Sequence, residues 1–195
     1  TLLLMYNVLS IDIDYAYSPT ISLYDDHIEG SRISLQDQQK ILTELNLPEP
    51  EVNQEKLDLI QKVVSQKVTR GTPVHIIQHH HDILKLLPLD THMRIYNFDH
   101  HHDVYYPGWH DLNVLDEGNW VSYLSSHDVE DFYWIRNKDS EDRNDYVVLD
   151  FAWHEIYLPI VKDLPKFDLV IGCISPHWTD SNGKEHLDYV LRSMK

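Results

Sequence analysis

Met93-Arg94-Ile95-Tyr96-Asn97-Phe98-Asp99-His100-His101-His102-Asp103 decides how the chain is read. The first six residues form an apolar-rich, extended run, and each of the last five carries a carboxylate or an imidazole. Side chains of an extended backbone alternate between faces, so Asp99, His101 and Asp103 fall on one side if strand geometry continues past Phe98. His100 and His102 then point away and are expected beside the ligands or in solvent. Oxygen and nitrogen donors converging at a strand end make a metal site.

Two other runs end in the same chemistry. Residues 7–14 read as a strand closing in Asp12-Ile13-Asp14, and Ser18-Pro19 stops the loop that follows. Residues 74–78 read as a strand leading into His79-His80-His81-Asp82. A helix is expected over 36–45, before Pro48 and Pro50, and another over 53–68. Asn53 caps the second, whose Leu57, Ile60, Val64 and Val68 form one face. A short helix begins at Ile83 and stops at Pro88, and residues 184–194 form the last helix, after Asn182-Gly183. Further strands are expected at 119–124, 132–136, 146–150 and 167–174, with 20–36 irregular and 156–161 helical or irregular. Strands alternating with helices predict an α/β fold, a mostly parallel sheet flanked by helices, in one domain spanning 1–195.

Composition narrows the function. The chain carries 16 Lys+Arg against 32 Asp+Glu, a formal net charge of -16. That field opposes phosphate-backbone binding, so no nucleic-acid partner is expected, and a bound metal or a cationic substrate is favoured. Cys173, the one cysteine, excludes an intramolecular disulfide and reads as a core residue in a cytoplasmic protein. No apolar stretch is long enough for a bilayer, so no membrane partner is expected. Thr1-Leu2-Leu3-Leu4-Met5 is too short, and lacks the basic flank, for a signal peptide.

Ligands of a parallel sheet bind beyond the carboxyl ends of its strands. Asp12-x-Asp14, the His79–Asp82 cluster and Asp99-x-His101-x-Asp103 would therefore share one edge. The donor set is oxygen-rich, with imidazole and no thiolate, which suits Mn²⁺, or Fe²⁺ or Co²⁺ in its place. It is too large for one ion and suits two ions about 3.5–4 Å apart that share carboxylates.

The arrangement resembles the arginase (ureohydrolase) superfamily. Ser10-Ile11-Asp12-Ile13-Asp14-Tyr15-Ala16-Tyr17-Ser18-Pro19 is similar to that family's Ser-x-Asp-x-Asp-x-x-x-Pro strand end. Asp99-His100-His101-His102-Asp103 is similar to its Asp-x-His-x-Asp strand end, and Ile77-Gln78-His79-His80-His81-Asp82 to its histidine segment, with the ligand at His80. The closest likeness is to the small branch that includes peptide arginases. Here the Asp-x-Asp strand comes first instead of last, which a circular permutation of strand order accounts for.

The resemblance implies a three-layer arginase-like fold and two Mn(2+) ions. Asp12 and Asp99 would bridge them, His80 and Asp103 would complete one, and His101 and Asp14 the other. It implies attack of a metal-bridging hydroxide on the guanidinium carbon of an arginine in a ribosomally made precursor peptide, leaving ornithine and releasing urea. His110 is the candidate proton shuttle by its order along the chain. Asp150 is the candidate acid for the guanidinium, with Glu155, Asp180 and Glu117 as further candidates. Two other readings stand beside this one: a two-metal phosphoesterase of the Asp-His-His type, and a non-catalytic metal-binding protein. Histidines at the ends of apolar strands, instead of in exposed tracts, favour a catalytic site over a metal buffer.

Overall fold

The computed structural model describes residues 5–18, 33–108, 111–144 and 146–194. The described residues form six strands, β1 (Tyr6–Asp12), β2 (Val74–Ile77), β3 (Met93–Phe98), β4 (Val129–Ile135), β5 (Ala152–Ile156) and β6 (Leu169–Cys173). They make one sheet in the order β2-β6-β1-β3-β4-β5, and every pairing is parallel. The expectation of an α/β fold with a parallel sheet flanked by helices is met.

Among the described residues three helices accompany the sheet: α1 (Leu35–Glu44), α2 (Gln54–Lys67) and α3 (Gly183–Leu191). The Asn53 side chain accepts the Lys56 N–H and caps α2, as its place before the helix predicts. Leu57, Ile60, Val63 and Val64 of α2 pack with Leu187, Val190 and Leu191 of α3 over Leu9, Ile11, Phe98 and Val170 of the sheet. The α3 helix lies so close over β6 that a Cβ on Gly172 would stand 2.7 Å from Leu187 Cδ1. On the opposite face Val8, Ile95, Phe132, Trp134 and Ile171 are covered by Ile83 and Leu87 and by Trp120, Val121 and Leu124. Those covers belong to short 3₁₀ turns, His80–Lys85 and Trp120–Ser126.

Two expected strands are corrected. Residues 119–124 are a 3₁₀ turn, because local hydrogen bonds replace a ladder: Ser122 N–H and Oγ both donate to the Asn119 carbonyl. Residues 146–150 precede β5 without joining it. Val147 and Leu149 pack inward, while Tyr146 and Val148 stand 72% and 94% exposed. The run alternates like a strand, but the ladder to β4 starts at Ala152.

β1 sits between β3 and β6, with Ser10 opposite Asn97 and Asp12 opposite Cys173. Ser10, Asp12 and Asn97 share the face that carries Val8, Ile95 and Ile171. Polar groups therefore rise through an apolar layer towards the carboxyl edge.

Candidate metal centre

β1 ends at Asp12, which turns the chain. Its Oδ1 accepts the Asp14 N–H at 3.1 Å and caps the 3₁₀ turn Ile13–Tyr17. That turn returns Asp14 to the edge, where Oδ1 accepts the His100 N–H at 3.1 Å and Oδ2 lies 2.8 Å from His101 Nδ1. Both aspartates are buried.

Pleat alternation does not assemble the Asp99–Asp103 stretch. β3 ends at Phe98, Asp99 Oδ1 accepts the His101 N–H at 2.8 Å, and Asp103 has a left-handed φ of 51°. Aspartate enters that region more readily than most residues, but the conformation still needs support from its surroundings. The support comes from Val121 N–H, which donates to the Asp103 carbonyl at 3.0 Å, and Trp120 Nε1–H, which donates to Asp103 Oδ2 at 2.6 Å. His100 and His102 are buried, not solvated. His102 stacks on Tyr106 with 4.1 Å between ring centroids, and burial pushes its pKa down to about 3, so it is neutral.

His80 stands where these segments meet. Its Nδ1 is 3.0 Å from Asp99 Oδ2, 3.1 Å from Asp103 Oδ2 and 3.2 Å from Asp12 Oδ2. None of the three meets hydrogen-bond geometry, so this buried ring nitrogen faces three carboxylates with no hydrogen-bond partner among the described residues. On the ring's other side, Nε2 lies 2.9 Å from Ser10 Oγ. Asn97 Nδ2 donates to Asp99 Oδ2 at 3.0 Å, and Ser175, with a left-handed φ of 44°, donates its hydroxyl to Asp12 Oδ2 at 2.5 Å. These polar neighbours orient the donors from below and behind, as the surroundings of metal ligands do.

The electrostatics favour a cation. Burial raises the carboxyl pKa of Asp12 and Asp99, and repulsion from Asp14, and from Asp103 at Asp99, raises it further. Burial opposes the charge on His80, but Asp99, Asp103 and Asp12 outweigh it and hold the imidazole well above its usual range. Burial also works against charge on Asp103, yet His80, His101 and the Trp120 N–H bring its pKa down. Buried like charges held this close are costly without a counter-charge.

Two overlapping groups can hold an ion: Asp12, His80 and Asp99, and Asp14, Asp99 and His101. Each offers donor atoms within 4.8 Å of one another, and Asp99 belongs to both. His80 Nδ1, which faces three carboxylates and makes no hydrogen bond among the described residues, and the oxygen-rich donors fit a divalent cation. The six expected ligands, Asp12, Asp14, His80, Asp99, His101 and Asp103, thus come together.

The other candidates separate. His110 lies outside the described residues. Asp150 is exposed and precedes the amino end of β5, whereas the cluster sits at the carboxyl edge; the misread strand had placed it there. Glu155 is engaged by Arg136, whose Nη1 lies 2.8 Å from it and whose guanidinium stacks on Trp134. Asp180 accepts the Tyr17 hydroxyl at 2.6 Å and the Asn182 N–H at 2.8 Å, a turn-building role. Glu117 is buried with Oε1 2.6 Å from His79 Nδ1. Trp178 approaches His101 at 4.8 Å between ring centroids and walls one side of the cluster. Ser10, Asn97, Ser175 and Trp120 were missed as supports. For Ser10 and Asn97 the available signal was a polar residue on the otherwise apolar face of each strand.

Comparison with family models, with curated proteins and with solved structures finds no match for this chain.

Proposed function

We propose that this chain is a Mn²⁺-dependent ureohydrolase that converts arginine residues of a peptide to ornithine and releases urea. The observation that carries this reading is Asp99, shared by two carboxylate–imidazole groups, buried except for the part-exposed His101, at the carboxyl edge of a parallel sheet. Asp12, Asp99, Asp103 and His80 would hold one ion, and Asp14, Asp99 and His101 the other. Bound there, the pair would supply Lewis acidity and a water deprotonated at neutral pH.

The reaction adds one water across the guanidinium carbon. The bond from that carbon to Nε breaks, Nε leaves with a proton as the ornithine amine, and the carbon leaves as urea. The chain's own residues prepare for this. Asp12 and Asp99 set the charge of the pocket, and Ser10 and Trp120 fix the ligand orientations from outside it. Trp178 and Tyr106 flank His101 and offer apolar walls to the aliphatic stem of an arginine side chain. The net charge of -16 favours approach of a cationic substrate.

The test is to incubate the Mn²⁺-loaded protein with an arginine-containing peptide and follow peptide mass and urea together. The expected outcome is a loss of about 42 Da per arginine processed, the elements of cyanamide, with one urea for each. An unchanged mass on every arginine peptide, together with hydrolysis of a phosphodiester, overturns the reading.

A further inference from the structure

We propose that the free edge of β2 docks the peptide substrate as an added strand, through backbone hydrogen bonds to Val74 and Ile76. The identity of the peptide rests on the ureohydrolase reading above; the place rests on the sheet. β2 is an outer strand and, among the described residues, pairs with β6 alone. Its register sets which backbone groups are spent. Val170 N–H donates to the Pro73 carbonyl at 3.0 Å and Ile174 N–H to the Ile77 carbonyl at 3.1 Å, with Val74 opposite Val170 and Ile76 opposite Gly172. In a parallel ladder alternate residues turn their N–H and C=O to the same side. Pro73, His75 and Ile77 therefore face β6, and Val74 and Ile76 present both groups outward. Among the described residues nothing bonds to them there. Pro73 stands on the inward register, so its missing N–H takes nothing from the outer row.

The side chains agree. Edge strands are ordinarily protected by charged residues. The opposite edge, β5, follows that rule with Glu155, which Arg136 Nη1 holds at 2.8 Å. β2 reads Val74-His75-Ile76-Ile77, with no carboxylate, ammonium or guanidinium. Val74 and Ile76 share one face of the strand and are 37% and 46% exposed. An unguarded apolar edge is a template for an extended segment, with alternate side-chain contacts to select it.

Size and charge decide the occupant. A strand of four residues is about 13 Å long, far short of the roughly 1,000 Å² of interface that holds two globular chains together. A second copy would also bring a further net charge of -16, whereas an arginine-bearing peptide is cationic. The direction fits as well, because β2 runs towards the carboxyl edge and continues into His79 and His80. β1 is two strands away, so an added strand lies about 14 Å from Asp12, farther than a side chain reaches. The arginine to be processed therefore sits on the stretch that leaves β2 and turns inward across the end of β6. The β2 edge reads its flank.

The experiment is hydrogen exchange, resolved residue by residue by mass spectrometry, on the Mn²⁺-loaded protein. The probe is a pool of peptides with one arginine each and flanks drawn from Val, Ile, Thr and Tyr. At saturation the Val74 and Ile76 amides are expected to slow by about tenfold, while those of His75 and Ile77, already bonded to β6, keep their rates. A pool N-methylated at every flanking residue is expected to give no slowing. One N-methylated at every second residue is expected to keep it, because all its methyl groups can face away from β2. Ile76→Pro deletes an outward N–H and no bond to β6, and is expected to weaken binding by about three- to tenfold with Mn²⁺ content unchanged. Should that variant not fold, the methylated pools decide the matter on wild type. Unchanged exchange of Val74 and Ile76 with the unmethylated pool overturns the proposal, as does equal slowing by the fully methylated one. Slow exchange of both amides before any peptide is added also overturns it, since the edge is then already taken. Exchange needs no turnover. Slowing without urea release would end the ureohydrolase reading and leave the docking edge, whereas urea release with unchanged exchange would retire the edge and leave the reaction.

Discussion

Replacing Asp99 removes an oxygen donor from both ligand groups, whereas replacing His101 removes one donor from one group. Asp99→Ala is expected to abolish bound metal. His101→Ala is expected to keep one ion, on Asp12, His80, Asp99 and Asp103. Metal analysis of the purified variants, near two, one and zero ions per chain for wild type, His101→Ala and Asp99→Ala, checks this; two ions in Asp99→Ala would sink the shared-ligand reading. At this scale the sequence was informative because ligand chemistry sits on side chains: spacing named Asp12, Asp14, Asp99, His101 and Asp103, and the family resemblance picked His80 out of its histidine run. It named them by an imperfect route. Alternation along β3 placed Asp99, His101 and Asp103 together, but an Asx contact and a left-handed Asp103 hold them there.

The 3₁₀ turn Trp120–Ser126 does two jobs as an element. It covers the sheet with Trp120, Val121 and Leu124, and it hands the Trp120 N–H to Asp103 at 2.6 Å. Trp120→Phe retains most of the ring and deletes that donor. It is expected to weaken Mn²⁺ binding by about 10–100-fold with secondary structure intact, measured by competition with a chelator alongside circular dichroism. An unchanged affinity would reduce Trp120 to a core residue. The long helices and the buried strands were legible because their apolar periods are strong, as in Leu57, Ile60 and Val64 of α2. Residues 119–124 and 146–150 misled because short apolar runs suit a strand or a buried turn equally, and a ladder partner decides between them. Asp150 was misplaced for that reason alone.

Across the whole molecule the proposed centre sets a pH dependence. Asp12, Asp99 and His80 all titrate above their ordinary ranges in the metal-free fold. Each therefore contributes stability that is present below its unfolded pKa and lost as pH rises through its folded one; Asp103, brought down, has the opposite sign. Metal must displace protons from the raised groups, so its affinity climbs with pH. The gap in Tm between Mn²⁺-loaded and chelator-treated protein is expected to widen from about pH 5 to about pH 8 in scanning calorimetry. A gap that stays constant would mean that the ions bind elsewhere. Sheet class was readable from alternating strands and helices, but strand order was not, since it is fixed by pairings between distant segments such as Val8 with Leu169.

That pairing bears on how the centre is made. β6 lies between β1 and β2, so His80, on the segment after β2, is brought to Asp12 across a strand that is the last of the six along the chain. During synthesis a growing chain would hold Asp12, Asp14, His80, Asp99, His101 and Asp103 long before Leu169–Cys173 is added, and would still have no assembled pocket. Metal loading at the proposed centre would thus be a late step of biogenesis, a checkpoint that a chain passes only after β6 has inserted between β2 and β1.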